Sequence, residues 1–492
     1  MSLHPGAIAA TAPARAALVI DGEVLTYGAL TERAERLAGR LAALGCAPGD
    51  TVALILGNSA DFFVAAWAAQ MSGLYFVPLS ERLTVPERNY ILADSGAKVV
   101  LTQDADLPRA LVPAQWDSGA TAPFARIEGS DMLYTSGTTG HPKGVKRPLS
   151  GAPLGSDARR AERAQALFGM DSDTVFLSPA PLYHAAPLRW AMTVLRLGGT
   201  VVAMRKFDAA EALRLLGEHR VTHSQWVPTM FARMLALDKR PAGPPSHICA
   251  IHAGAPCPPD IKRRMIDWWG PILHEYYSGT EAVGFTHITS AEWLERPGSV
   301  GRAHGAVIHI LGEDDTPLPP GATGRVFFES ATPHAYHNAP EKAAAATSRQ
   351  GYATMGDIGH VDAEGYLWLT DRASFTIISG GANIYPAEIE AALMSDPGVV
   401  DCAVFGVPDA DLGEVVQAVI ELREPPADPA AAARAIAERL RGLVAANKIP
   451  RQFDFTDRLP RMDSGKVQKR ILAERYAEPT RRGYFGRVRE KH

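Results

Sequence analysis

Between residues 51 and 102 strand-like and helix-like stretches take turns, and this alternation restricts the fold more than any other feature of the chain. TVALIL (51–56), LYFVPL (74–79) and KVVLT (98–102) are short apolar runs. An apolar helix from Ala60 to Met71, stopped by Gly73, and a helix near residues 87–94 separate them. Strands joined through helices pair in parallel and need cover on both faces, which predicts a doubly wound α/β layer. Ahead of this layer, residues 15–25 read as two short strands around Asp21-Gly22, a turn dipeptide with hairpin character. Leu30, Ala34, Leu37, Leu41 and Leu44 then recur at helical spacing up to Gly45 as a C-cap. The alternation resumes in TVFLSPAPLYHAAPL (174–188), a helix to Leu197, GGTVVAM (198–204), a helix with Ala212, Leu213, Leu216 and His219, VTHSQWVPTMFARML (221–235), HICAIHAGA (247–255) and LHEYYSGTEA (273–282). Two such units side by side would make a ligand crevice at the carboxyl ends of their strands.

From about residue 298 the pattern changes to short strands and turns, GRAHGAVIHIL, GRVFFES and GYATMGDIGHVDAEGYLWLTD, which predict a small antiparallel, barrel-like β unit. A helix from Pro386 to Met394, a strand VVDCAVFGV (399–407), VVQAVIEL and a helix from Ala430 to Ala446 then suggest a compact α+β module. The fold class is therefore α/β: a large N-terminal domain, residues 1–371, of two doubly wound subdomains plus the β unit, and a small mobile α+β domain, residues 372–492. A chain of 492 residues exceeds what one core usually holds, in agreement with this division. Net charge of −4 gives no reason to expect nucleic acid. Cys46, Cys249, Cys257 and Cys402 contain no C-x-x-C pair, which fits reduced thiols. No run reaches the roughly 18 apolar residues of a membrane span, and the start lacks a secretory pattern, so a cytoplasmic location is expected.

The stretch YTSGTTGHPKGVK, Tyr134 to Lys146, has the parts of a phosphate cradle. Thr135, Ser136, Thr138 and Thr139 supply hydroxyls, Gly137, Gly140 and Gly144 let backbone N–H groups come close, and Lys143 and Lys146 are cations. It is not a Walker A loop, because Lys143 is followed by Gly144. On composition alone an ordinary Gly/Ser/Thr surface loop is equally compatible. The preceding DMLY reads as the end of a buried strand, leaving the cradle between sheet elements. The order [ST]-[ST]-G-[ST]-[ST]-G-x-P-K-G, unbroken from Thr135 to Gly144, resembles the phosphate-binding loop of the adenylate-forming enzymes: acyl-CoA synthetases, peptide-synthetase adenylation domains and beetle luciferases. YHNAPEKAAAA (336–346) and LTDRASFTIISGGANIYPAEIE resemble bacterial fatty-acid and related acyl-CoA ligases in particular.

Three further motifs match in the family's order. In YYSGTE the resemblance makes Tyr277 the ring that stacks on adenine, Thr280 a phosphate-side hydroxyl and Glu281 the Mg2+ carboxylate, with Ser278 where the family usually has glycine and Gly279 beside it. A carboxylate is the usual protein ligand of nucleotide-bound Mg2+. In GYATMGDIGHVDAEGYLWLTDR it makes Asp357 the acceptor for both ribose hydroxyls and Arg372 a contact to sugar and phosphate, whereas Asp362 is well explained as a turn residue. In LPRMDSGKVQKR it makes Lys466 the mobile catalytic lysine, with Met462 where threonine is usual. It also places the hinge at Ser374, the CoA-tunnel loop at Ser379, Gly380 and Gly381, and the active-site histidine at His184. Trp226, Val227, Met230, Phe231, Ala253, Gly254, Ala255 and Gly284 would wall an acyl pocket, although a Trp/Met/Phe cluster is more often core packing. PLYHAAPLRW has no acidic residue for an amino-acid ammonium, so a neutral-tailed acid is favoured, medium- or long-chain or bulky.

The expected function is that of an ATP-dependent acyl-CoA synthetase, with ATP, Mg2+ and CoA as cofactor set and a small-molecule carboxylic acid of that medium- or long-chain or bulky kind as substrate. The sequence leaves room for a homodimer. Two rivals stand beside this reading: an acyl-AMP ligase that loads a carrier protein, and a catalytically silent nucleotide-binding or scaffolding protein.

Overall fold

The computed structural model describes residues 3–135, 142–329, 336–372, 375–380, 382–409, 411–461 and 467–477. The chain forms two compact units, one of Met1–Ala306 with Ser330–Thr347 and one of Val307–Glu329 with Ser348–His492.

The first unit contains the two predicted α/β layers. In one, strands Ala110–Leu111, Val99–Thr102, Thr51–Ile55, Tyr75–Pro78 and Ser130–Asp131 lie side by side in that order, all parallel. In the other, Leu273–Tyr277, Cys249–His252, His223–Trp226, Val175–Ser178, Thr200–Ala203 and Ala16–Ile20 are parallel neighbours. Their outer neighbours, Glu23–Thr26 at one side and Thr286–Thr289 at the other, run antiparallel. Asp21 and Gly22 both take positive φ, 51° and 79°, as the hairpin turn between Ala16–Ile20 and Glu23–Thr26 requires. Helix Ala60–Met71 is buried on nearly every face, the environment its continuous apolar sequence demands. Buried Asn58 joins the two layers: its amide nitrogen donates to the Ala180 and Met204 carbonyls at 3.0 and 2.7 Å, and its oxygen accepts from Leu182 N at 2.9 Å. With donors and acceptor all satisfied, this polar side chain can sit in an apolar seam.

In the second unit, strands Val307–Leu311, Gly324–Glu329, Ala353–Val361 and Leu367–Arg372 pair antiparallel in sequential order. A further sheet has the order Ala382–Ile384, Ile377–Ser379, Gly413–Leu422, Val399–Asp409, with Gln452–Phe455 parallel to Gly413–Leu422. Helix Pro429–Leu440 ends earlier than the sequence pattern predicts, at a C-cap on Arg441, and Gly442 directly follows. Glycine loses the most backbone freedom in a helix, so the apolar spacing that continues to Ala446 does not extend it. Among the described residues no helix is long and apolar enough to cross a membrane.

Candidate active site

The phosphate-cradle sequence lies between two short paired strands. Leu133–Thr135 pairs antiparallel with Lys143–Val145, with Tyr134 opposite Gly144 and Thr135 opposite Lys143. Ser136, Gly137, Thr138, Thr139 and Gly140 lie outside the described residues. Gly144 is needed for packing: a Cβ there would meet Met132 Cε at 2.8 Å and Tyr134 Cζ at 3.1 Å. The Tyr134 hydroxyl donates to Asp94 Oδ2 at 2.5 Å, which fixes the ring that crowds Gly144. Lys143 and Lys146 lie in different surroundings. Lys146 Nζ sits over the Tyr75 ring, 4.4 Å from its centroid, whereas the Lys143 ammonium lies beside that of Lys342 and within electrostatic reach of Glu281. Burial and then the Lys342 ammonium lower the Lys143 pKa, against the opposing pull of Glu281.

Tyr277, Ser278, Gly279, Thr280 and Glu281 follow the carboxyl end of Leu273–Tyr277, the position at which α/β sheets present ligand-binding loops. The turn is tied down at three points. Ser278 Oγ donates to the Gly284 carbonyl at 2.7 Å, a bond a glycine at 278 could not make. The Thr280 carbonyl accepts from Arg189 Nη1 at 3.0 Å, and Glu281 Oε1 accepts from the Tyr336 hydroxyl at 2.8 Å. Arg189 is itself held by buried Asp131, whose Oδ2 accepts from Nη2 at 2.7 Å and Nε at 3.1 Å. Arg147 and Arg160 approach the same carboxylate at 3.5 Å. Burial alone would raise the Asp131 pKa, but the Arg189, Arg160 and Arg147 guanidiniums hold it well below the usual carboxylate range. Of the two tyrosines, Tyr276 is core, stacked on Phe285 with centroids 5.1 Å apart, and Tyr277 is half-buried. His184 is the N-cap residue of helix Ala185–Leu197, the helix that carries Arg189, and its ring lies against that of Tyr183.

The residues assigned to an acyl pocket divide into two groups. Trp226 and Phe231 are fully buried in an aromatic cluster with Trp269, at centroid separations of 5.6 and 6.0 Å. Met230 and Ala253 are also buried, and Gly284 is occupied by the Ser278 bond. Val227, Gly254 and Ala255 retain accessible surface, and Gly254 has φ of 89° with Val227 Cγ1 3.6 Å from the place of a Cβ. Below them lies a buried ion pair. Lys262 Nζ is 2.6 Å from Glu275 Oε2 and 4.8 Å from the Trp293 centroid, and His252 Nε2 is 3.7 Å from the same carboxylate. Burial pushes the Glu275 pKa up, with Lys262 opposing, and pushes that of His252 well down, so this imidazole is neutral.

In the second unit Asp357 and Arg372 are cross-strand partners in the Ala353–Val361/Leu367–Arg372 ladder, and Asp357 is buried. Asp371 Oδ2 accepts from Ala387 N at 2.8 Å, capping helix Pro386–Met394. Asp362 is a turn residue, as its sequence suggests: Oδ1 accepts from Glu364 N and Tyr366 N, each at 2.9 Å. Ser379 faces Ala382 across a tight hairpin; Gly380 has φ of 56° and donates its N–H to the Leu412 carbonyl at 2.9 Å. Gly381, Ser374 and Lys466 lie outside the described residues.

Three residues of the first unit carry no motif role: Arg189, Tyr336 and Lys342. Arg189 had one visible signal, a cation in the otherwise apolar AAPLRWAMTV. Tyr336 and Lys342 lie in a string noted only for resemblance.

A parallel α/β sheet with a cation-bearing hairpin and a carboxylate turn after its strand ends is the arrangement in which open α/β folds present ligand-binding loops. The AMP-binding enzyme family matches residues 7–333 and its C-terminal domain matches residues 388–466. A feruloyl-CoA synthase of Amycolatopsis is 35% identical over 92% of this chain and 94% of its own. A long-chain-fatty-acid–CoA ligase of Mycobacterium tuberculosis is 31% identical over 92% and 93%. The o-succinylbenzoate CoA synthetase of Bacillus subtilis, solved with its acyl-adenylate intermediate, superposes with a TM-score of 0.84 at 29% identity over 97% of this chain and 98% of the other. The same synthetase has been solved with ATP and a magnesium ion, with a TM-score of 0.84 at 28% identity over 96% and 99%. The chain belongs to the AMP-binding enzyme family, the adenylate-forming enzymes.

Proposed function

We propose that this chain is an AMP-forming acid–thiol ligase that joins a hydrophobic carboxylic acid to CoA. The observation that carries the proposal is the convergence, within one compact unit, of Lys143 on the hairpin and a Glu281 carboxylate immobilised by Tyr336 and by the Arg189–Thr280 contact. A carboxylate held through one oxygen can present its other to a hard cation, so Glu281 fits Mg2+ on a triphosphate. When bound, that ion offsets phosphate charge. Lys143 and the 135–140 loop would hold the phosphates, Tyr277 would stack on adenine, and Asp357 and Arg372 would take the ribose. Lys466 would stabilise the crowded anionic transition state as the acid's carboxylate attacks the α-phosphorus and pyrophosphate leaves. His184 would lie near the acyl carboxylate, and Ser379, Gly380 and Gly381 would line the path of the thiol that displaces AMP. Domain 372–492 would rotate about Ser374 between the two steps.

The acid is aromatic or long-chain. Support comes from the small accessible residues Val227, Gly254 and Ala255, and from relatives named for feruloyl, o-succinylbenzoyl and long-chain fatty acyl groups. An ATP–pyrophosphate exchange assay across a panel of aryl and fatty acids, followed by CoA addition, tests the reading. Lys466→Ala should slow adenylate formation by about 10²- to 10³-fold. The same variant, given synthetic acyl-AMP and CoA, should make thioester at near the normal rate. Exchange without thioester on CoA would instead favour a carrier-protein acceptor, and the absence of exchange with every acid would refute the reading.

A further inference from the structure

Segment 336–345 is built against the phosphate hairpin. Tyr336 forms an antiparallel bridge with Val145, and His337 N donates to the Gly144 carbonyl at 2.8 Å. His337 Nε2 lies 2.9 Å from the Asp94 carbonyl, and Asn338 Nδ2 donates to Asp94 Oδ1 at 3.2 Å. Tyr336 reaches Glu281, and one turn further the short helix Pro340–Ala345 brings Lys342 beside Lys143. Two ammonium groups thus stand together, with the Glu281 carboxylate within electrostatic reach of Lys143. An exposed lysine on a surface helix gains most by pointing away from a like charge. A pair of ammoniums held together is stabilised when an anion with several charged oxygens lies between them.

Resting on the reading above, we propose that Lys342 is a second cation of the triphosphate site and that, with Lys143, it binds the β- and γ-phosphates that leave as pyrophosphate. AMP, which lacks those phosphates, would not reach it. Lys342 would therefore hold the leaving group and favour ATP over AMP.

Calorimetric titration of the full chain with ATP, AMP and inorganic pyrophosphate, each with magnesium, tests this without turnover. Lys342→Ala should weaken ATP and pyrophosphate by about 10- to 100-fold and leave AMP within about twofold. Lys342→Arg should restore most of the loss, since the charge is kept. Lys342 is exposed on a six-residue helix, so its replacement leaves the core untouched. Equal weakening of ATP and AMP, or no change in either, would overturn the proposal. A wild-type chain that bound none of the three would overturn the adenylate-forming reading itself and the proposal with it.

Discussion

Glu281 is positioned by its neighbours rather than by its own backbone, and this makes Tyr336 a residue with a testable consequence. Tyr336→Phe removes one hydrogen bond at a half-exposed site, so stability should fall by about 1 kcal/mol or less. With the carboxylate free to rotate, half-maximal exchange activity should require several times more magnesium at saturating ATP. A magnesium titration of the two proteins checks this, and superimposable curves would show that Tyr336 does not steady a magnesium ligand. The residues that the sequence could propose for the site were those whose motif is contiguous, such as Tyr277, Thr280 and Glu281. Arg189 contacts Asp131 58 positions away and Thr280 91 positions away, and Tyr336 reaches Glu281 across 55. No local window contains such pairs, and only the fold brings them together.

At the scale of elements, periodicity served well wherever burial followed it. The strands between 51 and 102 and the hairpin at Asp21-Gly22 stand where their patterns place them. DMLY, read as the end of a buried strand, leads into Leu133–Thr135, which pairs with Lys143–Val145. Periodicity cannot decide where two causes give one pattern. Trp226 and Phe231 have the composition of a pocket and of a core alike, and both are fully buried. The helix Pro259–Trp269 and the strand Leu273–Tyr277 are joined by Lys262–Glu275, a pair removed from water. Lys262→Met alone leaves a buried carboxylate without its cation and should cost about 3–5 kcal/mol. Lys262→Met combined with Glu275→Leu should return to within about 1 kcal/mol of the parent. Urea denaturation of the two single variants and the double variant measures the coupling; purely additive losses would show that the pair does not act as a unit.

For the whole molecule, the sign of the pH dependence follows from histidines kept neutral inside the fold. Burial, followed by His223, lowers the His247 pKa to about 3. His274 falls to about 4 through burial, His223 and Lys262, while His287 falls to about 3 through burial, His274 and His304, with Glu292 opposing in both. Above the ordinary imidazole pKa of about 6.5 neither the folded nor the unfolded chain protonates these rings, and their contribution is complete. As pH falls below that value the unfolded chain takes up protons that the fold refuses. Stability should then drop by up to about 1.4 kcal/mol per pH unit for each group, until the folded pKa is reached. Urea midpoints at pH 7.5, 6 and 5 should decline in that order, and His287→Gln should flatten the slope; a constant midpoint would contradict the assignment.

The division of the chain has a further effect, on synthesis. The first unit takes Met1–Ala306, gives up Val307–Glu329 to the second, and takes back Ser330–Thr347, which carries Tyr336 and Lys342. On the ribosome, Glu281 and Lys143 emerge long before the segment that embraces them. Strands Val307–Leu311 and Gly324–Glu329 can pair with each other, but Gly324–Glu329 emerges before its other partner, Ala353–Val361. At roughly 5–20 residues per second the delay lasts seconds. During that interval a nascent hairpin waits with an unpaired edge, a template on which another chain could pair.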